Sequence, residues 1–383
     1  MLFVDNLNDS GPGSLRAAVE AKGPRTVIFR VSGTIRLEKK LVVRESFITI
    51  AGQTAPGDGI CLANYEFYVA THDAIVRYLR CRPGNGEPGE RDALTVRESQ
   101  DVIIDHCSAS WAVDEVLSTT LSKNVTVQWC IISEALHDAG HHKGNHGYGG
   151  LIQCEGATYH HNLYAHNRSR NPRPGSGVID FRNNVIYDWN GMAGYAEGNT
   201  HRLNYVANYL KAGPSTQSGA AIAFHTGKEK TFTHFDGNVL EGVVAAGEDD
   251  AKIINVRNGG NVSPTPHDVP PVKTESAIEA RDRVFKEAGA ILPKRDAVDA
   301  RVVEQVRQGT GHQINTATDV GGWPELKSTP PPADADQDGM SDAWETAAKL
   351  DPNDPADRNA DADGDGYTNL EELLNATDAR KAD

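Results

Sequence analysis

A phrase that recurs six times decides the fold: IIDHCSAS at 103–110, VQWCIIS at 127–133, YHHNLYA at 159–165, FRNNVIY at 181–187, YVANYLK at 205–211 and HFDGNVL at 234–240. Each copy is rich in β-branched and aromatic residues and too short for a helix. Aligned, the copies stack Cys107, Cys130, Asn162, Asn184, Asn208 and Asn238, at steps of 23, 32, 22, 24 and 30 residues. A step near 23 residues with a recurring Asn fits one coil of a parallel β-helix, in which stacked Asn side chains hydrogen-bond from coil to coil. The two long steps predict loops bulging from one face, where sites usually lie. The competing reading is an antiparallel β-sandwich with chance Asn spacing.

Working outward, Ser14–Lys22 (SLRAAVEAK) follows a Gly-Pro-Gly turn and reads as a short amphipathic helix, suited to plugging the open end of the core. Residues 275–309 break the strand pattern. AIEARDRVFKEAGA and AVDARVVEQVRQG have helical periodicity, the second ending on Gly, and are expected against the outside or far end of the β-helix. STPPPA at 328–333 is a stiff linker that divides 1–327 from a tail, 334–383, of different composition.

Composition narrows the partners. The net charge of −15 argues against nucleic acid, and an acidic polysaccharide would need cations to mediate. No apolar run approaches the roughly 18 residues of a membrane span. Five cysteines at no paired or zinc-like spacing indicate neither a disulfide framework nor a zinc site. Nothing marks a coiled coil or a large apolar stripe, so a monomer is expected.

The tail holds two EF-hand-like loops, DADQDGMSDAWE at 334–345 and DADGDGYTNLEE at 361–372. Both carry oxygen donors at positions 1, 3, 5, 9 and 12 and Gly at 6, as a calcium loop requires. The first offers Asp334, Asp336, Asp338, Asp342 and Glu345; the second offers Asp361, Asp363, Asp365, Asn369 and Glu372. Calcium there would be structural. Such a tail resembles the calcium-binding repeats of secreted bacterial enzymes, so export is expected although no signal peptide follows Met1.

Three further stretches resemble the pectate lyases of polysaccharide lyase family 1. They are VDNLNDSGPGSLRAAV … GPRTVIFRVSGTI … ITIAGQTAPGDGI near the start, RDALTVRESQDVIIDHCSAS at 91–110, and YHHNLYAHNRSRNPR at 159–173. The resemblance covers about residues 3–240 and implies a right-handed parallel β-helix that cleaves polygalacturonate by calcium-dependent β-elimination. Carried over residue by residue, it makes Arg170 the base, Lys143 and Arg173 substrate-binding residues, and Asp92 and Asp114 calcium ligands. The stretch after Asp114 is longer than the family's, so Glu115 could be the ligand in its place. Strand neighbours point to opposite faces, and one of the two is expected to face the metal. Ser110 and Gly175 depart from an acidic residue and an arginine of the family pattern.

Asp105 and His106 are read as structural, the Asp satisfying backbone donors. His137, His141, His142 and His146 match no zinc signature and are read as a polar, substrate-facing loop. Two alternatives stay open: a calcium-independent pectin lyase, and a non-catalytic, calcium-stabilised β-helix that binds polysaccharide. A hydrolytic polygalacturonase would need a cluster of aspartates, and none stands between 100 and 200.

Overall fold

The computed structural model describes residues 1–87, 89–196, 199–217, 223–227, 230–257 and 260–376. Residues 377–383 of the expected tail lie outside the described residues. All strand pairs in its three sheets are parallel, which removes the antiparallel sandwich. The long sheet runs from Leu2–Val4 to Asn261–Val262, and a nine-stranded sheet runs from Gly33–Arg36 to Val239–Leu240. Together they make a parallel β-solenoid of about 10 turns.

One inward position shows how the core is built. Val27, Ile50, Val76, Ile104, Val127, Tyr159, Phe181 and Tyr205 sit in register on successive coils, and all are buried. The stack is aliphatic in the early coils and aromatic later, with Phe181 and Tyr205 at 5.4 Å and nearly coplanar. Each large apolar side chain so buried contributes roughly 1.5–3 kcal/mol.

The recurring Asn forms the expected ladder. The Oδ1 atoms of Asn162, Asn184, Asn208 and Asn238 accept the backbone N–H of the stacked residue one coil earlier, at 2.8–3.0 Å. Their Nδ2 groups donate to the carbonyls of Val127, Tyr159, Phe181 and Tyr205. The carboxylate of Asp250 closes the series by accepting from Asn238. These bonds surround a bend that repeats in six successive coils: Tyr78, His106, Trp129, His161, Asn183 and Ala207 all have φ between 50 and 56°. A non-glycine residue in that region costs on the order of 1–2 kcal/mol, about what one core side chain of the same coil returns.

Helix α1, Leu15–Glu20, is capped by Ser14 and buries Leu15 and Val19 in the core, as the sequence predicts. Helices α2, Ala277–Glu287, and α3, Ala297–Gln308, lie on the outer face of the nine-stranded sheet rather than at its end. Val284, Val302 and Val306 pack there on Ile131, Leu163 and Val185. Buried ion pairs hold α3 in place, Arg82 reaching Asp296 and Asp299 at 2.5 and 2.7 Å. No described helix is long and apolar enough to cross a membrane.

Candidate active site

A second bend repeats where the chain leaves the nine-stranded sheet. Trp111, Glu134, His166 and Asp188 stand at this position with φ of 53–63°. The turns that follow, 111–116, 134–150, 166–172 and 188–193, therefore come from successive coils. Residues far apart in sequence meet through them. The longest turn is rooted by Glu134, which accepts from Arg301 of α3 and from the Trp111 indole. Burial works to raise the Glu134 carboxyl, but Arg301 outweighs it and holds the group below the ordinary range.

Asp92, Asp114 and Glu115 converge, with a carboxylate oxygen of each within 4.8 Å of the others. Asp92 accepts the Glu115 N–H at 3.1 Å and the Thr95 hydroxyl at 2.9 Å. The expectation that Asp114 and Glu115 face opposite ways fails. Asp114 lies in a bend and Glu115 pairs only through an isolated bridge to Tyr148, so strand alternation does not govern them. Burial, reinforced by Glu66 and Asp114, pushes the Asp92 carboxyl well above its ordinary value. At Asp114 burial acts the same way, but His146, His141 and Arg170 outweigh it and lower the group. Three hard oxygen donors, one of them costly to ionise alone, suit a calcium ion.

The histidines of the loop expected to be polar and substrate-facing divide. His142 is exposed, whereas His141 and His146 are buried and stacked at 3.7 Å. His146 Nε2 stands 2.6 Å from Asp114 and His141 Nε2 stands 3.6 Å from it. Together they back the carboxylate.

Arg170 has φ of 59° and its carbonyl accepts from Gly150 at 2.9 Å. The approach needs glycines: a Cβ on Gly149 would lie 2.2 Å from Asn171 Oδ1, and one on Gly150 would lie 1.9 Å from the Leu117 carbonyl. The Arg170 guanidinium forms an ion pair with Glu115 and lies 3.9 Å over the Tyr148 ring. Its Nε is buried without a partner. Burial, with Arg173 adding to it, lowers the guanidinium below the ordinary arginine value, while Tyr195 and Asp114 oppose the shift. Arg173 opens the strand Arg173–Arg182, 5.4 Å over the ring of Tyr195. Lys143 is exposed on the histidine loop, and its backbone N–H donates to His141 Nδ1.

Ser110 is buried against Ser133, and a side chain on Gly175 would meet Gln153, so the two departures from the family pattern have their own packing. Asp105 is structural, for a different reason from the one expected. It accepts from the side chains of Arg77 and Gln128 and pairs with His106, whose ring stacks between Tyr78 and Trp129.

In the tail, both loops fold alike. The Oδ1 atoms of Asp342 and Asn369 accept the N–H of Ala335 and Ala362, at 2.8 and 3.3 Å, and so staple each loop across its width. Asp334 and Asp361 accept the N–H of Gly339 and Gly366. Asp363 and Asp365 accept the N–H of Asp365 and Tyr367. Asp334, Asp336 and Asp338 gather at one side of the first loop, and Asp338, Glu345 and Asp357 at the other. Burial and the neighbouring aspartates push Asp338 up to about 6 and Glu345 up to about 7. Glu345 lies in helix α4, Asp342–Ala348, and in the second loop Glu372 is buried at the start of helix α5, Asn369–Asn375.

Sequence reasoning overlooked Tyr148, Tyr195 and Asp357. None belongs to a spaced motif; stacking of coils or folding of the tail brings them in.

No protein-family profile matches the chain. It is 38% identical over 386 residues to a probable pectate lyase C of Aspergillus flavus, covering 97% of this chain and 88% of that protein. It is also 38% identical to the probable pectate lyase C of Emericella nidulans, covering 97% and 87%. Among solved structures it resembles the major cedar pollen allergen jun a 1, with a TM-score of 0.57 and 17% identity over 75% of this chain and 88% of that one. A Bacillus subtilis pectate lyase variant gives a TM-score of 0.55 at 14% identity, covering 76% and 91%. At those identities the likeness concerns the fold.

Proposed function

The chain belongs to the pectate lyases, a family of polysaccharide lyases, and from that premise we propose that it cleaves polygalacturonate by calcium-dependent β-elimination, with Arg170 as the base. The observation that carries this reading is the ion pair between Arg170 and Glu115, which joins the only family-matched base to the carboxylate cluster of Asp92 and Asp114. A similar fold, the pectate lyase of Bacillus sp. N165, was crystallised in complex with trigalacturonate (TM-score 0.51, 18% identity, 71% of this chain and 88% of that one).

Elimination takes the proton from C5 of a galacturonate and expels the oxygen at C4, leaving a C4–C5 double bond. The carboxylate on C5 opposes the first step because charge accumulates on it. A calcium ion held by Asp92, Asp114 and Glu115 would supply Lewis-acid stabilisation of that charge. Arg173 and Lys143 bind the substrate carboxylate and draw charge in the same direction. An arginine serves as base only when its guanidinium is destabilised as a cation. Burial and Arg173 push Arg170 that way. Glu115 pushes back, so any positive charge that shares the Glu115 carboxylate favours the neutral Arg170 that can then accept the C5 proton. His146 and His141 act as positioning residues that fix Asp114.

The three clustered carboxylates favour this reading over a calcium-independent pectin lyase. In the tail we assign calcium to Asp334, Asp336, Asp338, Asp342 and Glu345 and to Asp361, Asp363, Asp365, Asn369 and Glu372. Such loops fill at the calcium concentrations outside cells, and all five thiols are buried, away from oxidants. Both points fit a secreted monomer, with 1–327 as the catalytic unit and 334–383 as a calcium module.

Ultraviolet absorbance during incubation with polygalacturonate tests the reaction. A rise with calcium that a chelator abolishes is expected, because the conjugated double bond absorbs. Folded protein that gives no rise in ample calcium overturns the proposal.

A further inference from the structure

The first tail loop contains more than its sequence pattern. Glu345 and Asp338 are fully buried, and neither Glu345 oxygen nor Asp338 Oδ2 has a hydrogen-bond partner. Asp336 Oδ2 and Asp357 Oδ1 are likewise buried without one. Asp357 stands outside both loop patterns, in the turn that separates them. Its other oxygen accepts the Asp351 N–H at 3.1 Å, which aims the carboxylate inward. Buried carboxylate oxygens without donors are costly, and only a cation answers several of them at one point.

The same loop is pressed onto the solenoid. Met340 directly follows Asp338 and Gly339 and is fully buried. A Cβ on Gly339 would lie 2.5 Å from the Met1 side chain and 3.3 Å from that of Ile28, which measures how closely the loop sits. Arg30 of the first coils holds Asp334 at 3.1 Å. At the other end of the tail, Arg77 and Gln53 donate to the Leu374 carbonyl of α5 at 2.9 and 3.1 Å. The backbone that would wrap the cation is therefore the backbone that carries Met340 into its seat.

We propose that Asp357 is a ligand of the first tail site, supplied from outside the loop, and that the divalent cation bound there fastens the tail to the first coils of the β-helix. The proposal rests on the reading that the tail binds calcium. Its consequence is that calcium in the tail governs the order of the adjoining strand, Arg25–Phe29, independently of catalysis.

The test uses the full chain and calcium alone. Isothermal titration of Asp357→Asn should show one tail site weakened at least ~10-fold, as loss of a metal-orienting group does, with the second loop's site unchanged. Hydrogen exchange should show that a chelator deprotects residues 25–30 together with 334–345 in the wild type. In chelator, Asp357→Asn should melt no lower than wild type, since without the metal Asp357 adds only repulsion to Asp338 and Glu345. Wild-type titration by Asp357→Asn overturns the ligand assignment. Unchanged protection of 25–30 on chelation overturns the clamp. A variant that melts below wild type in chelator shows a merely structural Asp357 and also overturns it. If Glu345→Ala and Glu372→Ala leave calcium uptake by the chain unaltered, the underlying reading of the tail fails and the proposal with it.

Discussion

Two carboxylate clusters in this molecule answer the same electrostatic problem in opposite ways. At Asp92, Asp114 and Glu115 the chain supplies its own partners: Arg170 pairs with Glu115, and the His146 and His141 rings back Asp114. In the first tail loop, buried oxygens of Asp336, Asp338, Glu345 and Asp357 have no donor. A cluster already partnered can share its charge with a metal and a substrate and then give it back. A cluster without partners would need a metal to fold. On the proposed reading, the difference separates the catalytic site from the structural one although both are built of Asp and Glu.

The comparison predicts a double dissociation. Asp92→Asn should lower kcat/KM roughly 10³-fold, as removal of a charged transition-state stabiliser does, while calcium uptake by the tail stays as in wild type. Steady-state kinetics and titration of the same preparation check it. Glu345→Ala should do the reverse, leaving the rate within about twofold and removing the metal's stabilisation, about 2.7 kcal/mol where calcium is 100 times its Kd. Thermal melts in calcium check that. In chelator the order should invert, the variant melting above wild type, because a repulsive buried carboxylate has gone.

Glu115→Gln sits between the two. It removes a metal donor and the counter-charge of Arg170, and we expect a fall of about 10–100-fold in kcat/KM together with weaker calcium activation. An unchanged calcium dependence would detach Glu115 from the site. His146→Ala should have a smaller effect, about 10-fold in the calcium needed for half-maximal rate, as loss of a residue that orients a metal ligand does.

The smallest effect is on pH. Asp338, raised to about 6, and Glu345, raised to about 7, hold protons in the folded tail that the unfolded chain releases near pH 4. Their contribution is thus present below about pH 4 and lost as pH rises through 6 and 7. Metal-free tail stability should fall across that range, whereas with calcium it should rise, because ligands must lose their protons. Parallel slopes with and without calcium would refute the assignment.

How much of this was legible depends on the range of the interaction. The Asn162–Asn184–Asn208–Asn238 ladder could be read because one coil is one period, so a contact in space is a fixed step in sequence. The tail loops could be read because their donors lie within twelve residues of each other. Asp114 and Glu115 were misjudged because strand alternation fails once the chain leaves the sheet. The contact of His146 with Asp114, and Asp357 altogether, could not be read. Each reaches its cluster through a turn of irregular length, and no spacing rule encodes such a turn.

The central claim concerns Arg170, and the most direct measurement compares wild type with Arg170→Lys on polygalacturonate in calcium, following absorbance of the unsaturated product and binding of the same polymer. The account predicts loss of about 10³-fold or more in kcat, the scale of a general base, with binding retained. A variant that turns over within tenfold of wild type would contradict it and leave Arg170 as a charge that merely holds Glu115.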